Sequence, residues 1–188
     1  MIIAIKENTI EEIQKKLITM NTDLNKLSYI EIALKEPDFS FEIKRHLWNI
    51  AAKLYEERKM YEKAAKAMSH KGTMDITQNE RIESYLKTAE LYAKIGKVES
   101  ADDAFMRAGR ESDTNQKAKI NLAKKNIYIL FAKELEIAGK KAAAMKFYEK
   151  LIKMQIDPIE KKLIKQKLLQ TYKALAMFRE AKLLEGMI

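Results

Sequence analysis

Residues 85–108 read Tyr85-Leu86-Lys87-Thr88-Ala89-Glu90-Leu91-Tyr92-Ala93-Lys94-Ile95-Gly96-Lys97-Val98-Glu99-Ser100-Ala101-Asp102-Asp103-Ala104-Phe105-Met106-Arg107-Ala108. Tyr85, Thr88-Ala89 and Tyr92 recur at three- and four-residue steps before Gly96, and Ala101, Phe105 and Ala108 do so after it. That period puts the large and small apolar groups on one face of each of two helices. Alanines on the facing surfaces let the two helices approach closely as an antiparallel pair.

The same pattern recurs on both sides. Trp48, Ala51-Ala52, Tyr55, Ala64 and Met68 form one copy. Tyr128, Phe131-Ala132, Leu135, Gly139, Ala144 and Tyr148 form another, and Lys165, Leu168-Leu169, Tyr172, Ala176 and Ala181 a fourth, the poorest. Equivalent positions are 37, 43 and 37 residues apart. This spacing resembles the tetratricopeptide repeat (TPR), whose first helix carries Trp, Leu-Gly and Tyr positions and whose second carries Ala, Phe and Ala. Residues 81–109 match best within a resemblance covering about residues 44–187. The intervals exceed the family's norm of about 34 residues, and the closing proline is missing except near Pro158, which marks a divergent relative. The resemblance implies an all-α, right-handed array of antiparallel helical hairpins, a TPR-like α-solenoid of about ten helices. Residues 39–188 would be four hairpins packed as one continuous domain, and residues 1–38 an atypical N-terminal helical pair.

Local signals supply the boundaries. Thr9 caps a first helix and Thr22 lies where a second begins, before Pro37-Asp38 stops it. Ser40 starts a third, which breaks near Lys59; Gly72 is expected just past the end of the fourth. Thr77-Gln78-Asn79-Glu80 is a capping box for the Tyr85 helix. The longest helix opens at Ser112 or Asp113 and runs to about Ala138. Its middle, Ile127–Ala132, is apolar all round and so is expected to be covered on both sides. Asp157-Pro158-Ile159-Glu160 starts another helix, carrying Leu163, Leu168, Leu169 and Tyr172, and the last carries Phe178, Ala181, Leu184 and Ile188.

Composition sets limits on chemistry. The 188 residues contain no cysteine, five glycines and two prolines, and 34% are charged. Disulfides and thiolate metal sites are excluded, and a reducing, cytoplasmic setting is expected. No apolar run approaches the roughly 18 residues of a membrane span, and Met1–Ile5 is too short for a secretory core. His46 and His70 lie in different helices without a partner at metal-ligand spacing, and adjacent carboxylates such as Glu56-Glu57 point apart. The chain has no Gly-rich phosphate loop and no nucleophile elbow. It is therefore expected to be no enzyme and to use no cofactor or metal.

Binding is the expectation that remains. Helical arrays bind partners along a concave face lined by the first helix of each pair. By the register of the resemblance that groove exposes His46, Asn49, Lys53, Leu86, Lys87, Glu90, Asn126, Ile129, Lys133, Gln166 and Gln170. Mixed polar groups with a few apolar anchors suit an extended peptide or an amphipathic helix of a protein partner. The family's Lys/Asn/Arg clamp for carboxyl-terminal tails would fall on Asn49, Lys53, Lys87, Asn126 and Leu130, and is incomplete.

Charge placement offers the alternative. The net charge is +9. Residues 1–111 carry 19 basic and 19 acidic side chains, residues 112–188 carry 17 and 8. Lys117, Lys119, Lys124 and Lys125 crowd one helix and Lys161, Lys162, Lys165 and Lys167 another, a surface suited to RNA or another polyanion. The apolar edge of the last helix, from Leu183 onward, is expected to be covered by a second copy, making a homodimer, or by a partner.

Overall fold

The computed structural model describes residues 5–187; Met1–Ala4 of the apolar start and Ile188 of the last helix's apolar edge lie outside them. Ten α-helices and no strand occur among the described residues. They are α1 (Ile10–Ile18), α2 (Asp23–Ala33), α3 (Phe41–Glu57), α4 (Tyr61–Met74), α5 (Gln78–Lys94), α6 (Val98–Arg110), α7 (Thr114–Ile137), α8 (Lys141–Lys153), α9 (Pro158–Ala174) and α10 (Phe178–Glu185). Thr9, Thr22, Ser40, Thr77, Asp113 and Asp157 cap their helices through the side chain, so the polar starts are where the sequence puts them. Backbone contacts run between consecutive helices from α2 to α10, with α5–α7 and α6–α8 added. α1 makes none of comparable extent.

Four turns share one geometry. Lys59, Gly96, Gly139 and Ala176 have φ of +58°, +77°, +74° and +57°. In each turn the next N–H reaches back across the helix end: Met60 to Tyr55 O at 2.8 Å, Lys97 to Tyr92 O at 3.0 Å, Lys140 to Leu135 O at 2.8 Å, Met177 to Tyr172 O at 2.9 Å. The positive-φ residue itself bonds to the carbonyl after these, on Glu56, Ala93, Glu136 and Lys173. This is the Schellman end, which satisfies carbonyls the helix leaves open and reverses the chain. Nine residues after Tyr55, Tyr92, Leu135 and Tyr172 stand Ala64, Ala101, Ala144 and Ala181, all buried. A methyl there is what allows the returning helix to close on its partner.

The buried residues form two clusters. One gathers Ile13, Leu17, Tyr29, Leu47, Leu54 and their neighbours from α1–α4 together with Leu91. The other runs from Ile82 to Leu184 and includes Phe105, Tyr128 and Phe147. α5 is the wall between them, giving Leu91 to the first and Tyr85, Ala89 and Ala93 to the second. Tyr128 sits edge-on to both Phe105 and Phe147, with centroids 5.6 Å and 5.1 Å away.

Three expectations are corrected. Gly72 does not follow α4; it lies inside it, buried. A Cβ there would stand 3.0 Å from the Tyr85 ring and 3.2 Å from Ser84 Cβ, so glycine serves the α4–α5 approach rather than a helix end. Within Ile127–Ala132, Leu130 is 51% exposed, because α7 is covered on most sides but not on that one. Leu163 and Phe178, counted with the core of their helices, are 57% and 70% exposed.

Candidate functional site

α7 and α9 frame an open cleft of about 430 Å³. Ile129 and Lys133 line it from α7, one helical turn apart, and Leu163, Gln166, Lys167 and Gln170 line it from α9. Tyr148 of α8 reaches it from below, with its hydroxyl donating to Glu136 at 3.1 Å. Burial, together with Glu136, pushes the Tyr148 hydroxyl well above the ordinary tyrosine value, so it stays a neutral donor. Four of the eleven groove residues named from the sequence, Ile129, Lys133, Gln166 and Gln170, thus come together around one opening. Leu163 was missed as a lining residue because an apolar side chain on a helix reads as core. Only the missing neighbour on its far side distinguishes it.

The remaining groove residues stand differently. Leu86 packs on the larger core cluster, as Ile129 also does from the cleft wall. Lys87 bonds Glu56 of α3 at 2.8 Å and Glu90 at 3.3 Å. Partial burial works against the Lys87 ammonium, but the hydrogen bond to Glu56 and the charges of both carboxylates outweigh it and raise its pKa. His46 and Asn49 line a separate cleft of about 260 Å³ with Ile10, Arg45 and Lys71. There α1 lies against α3, and the Gln14 amide meets His46 Nε2 at 3.1 Å. Burial, and then the charge of Lys53, lowers the His46 pKa, which favours the neutral ring. Lys53 and Asn126 are exposed.

The basic residues of the alternative divide as well. Lys124 pairs with Asp102 at 2.5 Å and faces the rings of Phe105 and Tyr128. Lys125 pairs with Glu160 at 2.9 Å, and Lys167 is 3.8 Å from Glu136. Lys161 donates to the Met154 carbonyl and Lys165 to that of Met187. Lys117, Lys119 and Lys162 are exposed. Much of the excess positive charge is therefore tied into inter-helix contacts rather than presented freely.

One buried polar cluster invites a catalytic reading and does not support it. Ser84 Oγ donates to Asp75 at 2.6 Å while Lys71 bonds Ser84 and both Asp75 oxygens at 2.9 Å. Ser84 and Asp75 are both buried, so no substrate reaches the hydroxyl or the carboxylate. The trio instead ties the end of α4 to α5. Among the described residues no three histidine, aspartate or glutamate side chains are grouped to hold a metal ion, and no helix is long and apolar enough to cross a membrane. No family model matches the chain, and no curated protein matches it.

Proposed function

We propose that this chain is a non-catalytic adaptor, a divergent TPR-like array of helical hairpins that holds a peptide or protein segment in the α7–α9 cleft. The observation that carries this is the convergence of Ile129, Lys133, Gln166 and Gln170 around an opening floored by apolar surface. Of their counterparts on α3 and α5, Asn49 shares a cleft with Ile10 of α1, Leu86 packs on the core and Glu90 is paired with Lys87, while Lys53 is exposed. The four like turns and four buried alanines support the repeat reading. A cleft with an apolar floor and a polar rim is the usual form of a peptide site.

The test is selection from a random-peptide display library on the full chain, followed by Kd measurement with Leu163→Asp. Enriched peptides should bind the wild type and lose at least about tenfold in affinity to the variant, or about 1.4 kcal/mol. Failure to enrich any peptide, or no loss with Leu163→Asp, removes this reading.

The runner-up is an RNA-associated factor. It is favoured by one observation, that Lys161, Lys162 and Lys165 line a single cleft beside Ile156 and Pro158. RNA affinity falling steeply with salt would select it, since phosphate contacts release counterions.

A further inference from the structure

We propose that the α7–α9 cleft takes an amphipathic helix whose apolar face is bordered by carboxylates. The assignment rests on the cleft being a binding surface and names the chemistry of what it binds.

Lys133, Lys167 and Glu160 are the charged groups that line the opening. Lys133 and Lys167 are its cations, and both are exposed. Glu160 is its carboxylate, and Lys125 neutralises it at 2.9 Å. Glu136, which does not line the cleft, accepts from Tyr148 and lies 3.8 Å from Lys167. Lys133 makes no ion pair among the described residues and Lys167 only that long one, so the rim presents positive charge over an apolar floor. The rim also belongs to the part of the chain, residues 112–188, that carries the whole positive excess. Carboxylates on the partner would steer it in and fix its register.

A helix follows from elimination and from precedent within the molecule. An added strand needs a sheet edge, and the described residues form no strand. A polyproline segment needs an aromatic-lined groove, whereas the one aromatic at this cleft, Tyr148, is tied to Glu136. α1 meanwhile shows what the corresponding face of α3 accepts. In the register of the four turns, Asn49 corresponds to Gln166, and Asn49 shares its cleft with Ile10 of α1. α1 is a nine-residue amphipathic helix with Ile13 and Leu17 buried and Glu11 and Glu12 in its first turn. Lys15 and Lys16 stand in its last turn, so an apolar stripe flanked by both charges is already seated at the equivalent place, a precedent for the helix while the rim lysines argue for the acid.

The probes are two fluorescent peptides of about 15 residues with leucines at i, i+3, i+4 and i+7, one flanked by Glu and the other by Lys. Their binding to the full chain is read by anisotropy at low and high salt. The Glu peptide should bind at least about tenfold tighter at low salt, lose most of that advantage near 0.5 M, and gain helicity on binding. Lys133→Glu should cut its affinity by about fivefold or more, and a central proline in the peptide should abolish binding. Equal binding of both peptides, lost with Leu163→Asp, overturns the charge assignment while the groove stands. Tight binding of the proline peptide overturns the helix. Binding of neither peptide overturns the proposal, and an empty library selection beside it removes the groove as well.

Discussion

The face built by α3 and α5 and the face built by α7 and α9 begin from the same frame and end differently. Each of the four helices is followed by the same Schellman turn and the same buried alanine. On the first, α1 rests against His46, and Glu56, Lys87 and Glu90 bridge the helices. On the second, Leu163 and Ile129 border an opening that the chain's own side chains leave unfilled. The frame is set by turn geometry and small residues in the core. Whether a face is open is set by a handful of outward side chains that the frame does not constrain. Stability and binding should therefore respond to separate sets of substitutions.

Tyr128 offers the largest test of that separation. It is fully buried among Phe105 and Phe147, and its hydroxyl donates to Asp102 at 2.6 Å. It joins α7 to α6 and α8, yet belongs to neither face. Tyr128→Ala should cost about 3–5 kcal/mol in urea unfolding, by lost burial and the cavity left behind. Tyr128→Phe, which keeps the ring, should cost about 1 kcal/mol. An alanine variant within about 1 kcal/mol of wild type would mean that the junction is loose and the two faces are independently mounted.

The turns sharpen the comparison next. Gly96 and Gly139 share a left-handed backbone, but their surroundings differ. A Cβ at Gly96 would stand 3.2 Å from Ala143 Cβ, whereas at Gly139 nothing lies within 4 Å. Gly139→Ala should cost about 1–2 kcal/mol from backbone strain alone, and Gly96→Ala more. Lys59 and Ala176 already bear that strain, so Lys59→Gly and Ala176→Gly should each raise Tm, with a gain of up to about 1 kcal/mol. Thermal melts of the four variants decide whether the turns are equivalent. Destabilisation by either new glycine would show that they are not.

These turns also mark how far the sequence could be read. Glycine at positions 96 and 139 announces the turn, and the break near Lys59 was legible from the spacing. That Lys59 and Ala176 adopt the glycine conformation was not, because the surrounding packing imposes it. Gly72 failed in the opposite sense. A glycine late in a helical stretch looks like a terminator, and its actual reason, the Tyr85 ring, sits on another helix. Ile129, Lys133, Gln166 and Gln170 could be placed on one face because helical register carries across a repeat. Leu163 could not, since exposure depends on which neighbour is missing. Gln14 and Glu56 were invisible for a related reason: long-range polar partners leave no period in the sequence.

Acid should distinguish the two ends of the molecule modestly. Burial would raise the Asp102 pKa, but hydrogen bonds from Lys124, Lys150 and Tyr128 more than offset it and hold it below the ordinary aspartate value. Its contribution is therefore complete above the unfolded aspartate pKa of about 3.9 and is lost as pH falls further. Between pH 5 and pH 3, wild type should lose about 1 kcal/mol more than Asp102→Asn. Equal losses in the two proteins would remove Asp102 as the acid-sensitive tie between α6, α7 and α8.

The smallest effect bears most directly on why one face is covered. With the Gln14 amide donating, neutral His46 accepts at Nε2 and carries its own proton on Nδ1. Protonation would put a hydrogen on the accepting nitrogen and end that bond. Because burial and Lys53 lower the folded pKa, the unfolded chain takes up the proton first, and stability falls as pH drops below the ordinary histidine value of about 6.5. Hydrogen exchange of residues 10–18, corrected for intrinsic rates, should show protection several-fold lower at pH 5 than at pH 8, a change under about 1 kcal/mol. His46→Gln should flatten that dependence. If α1 in the variant keeps the wild-type pH profile, the ring does not hold it. The α3 face would then be covered through Ile13 and Leu17 alone, making its closure a matter of apolar packing rather than of the polar row it shares with the open cleft.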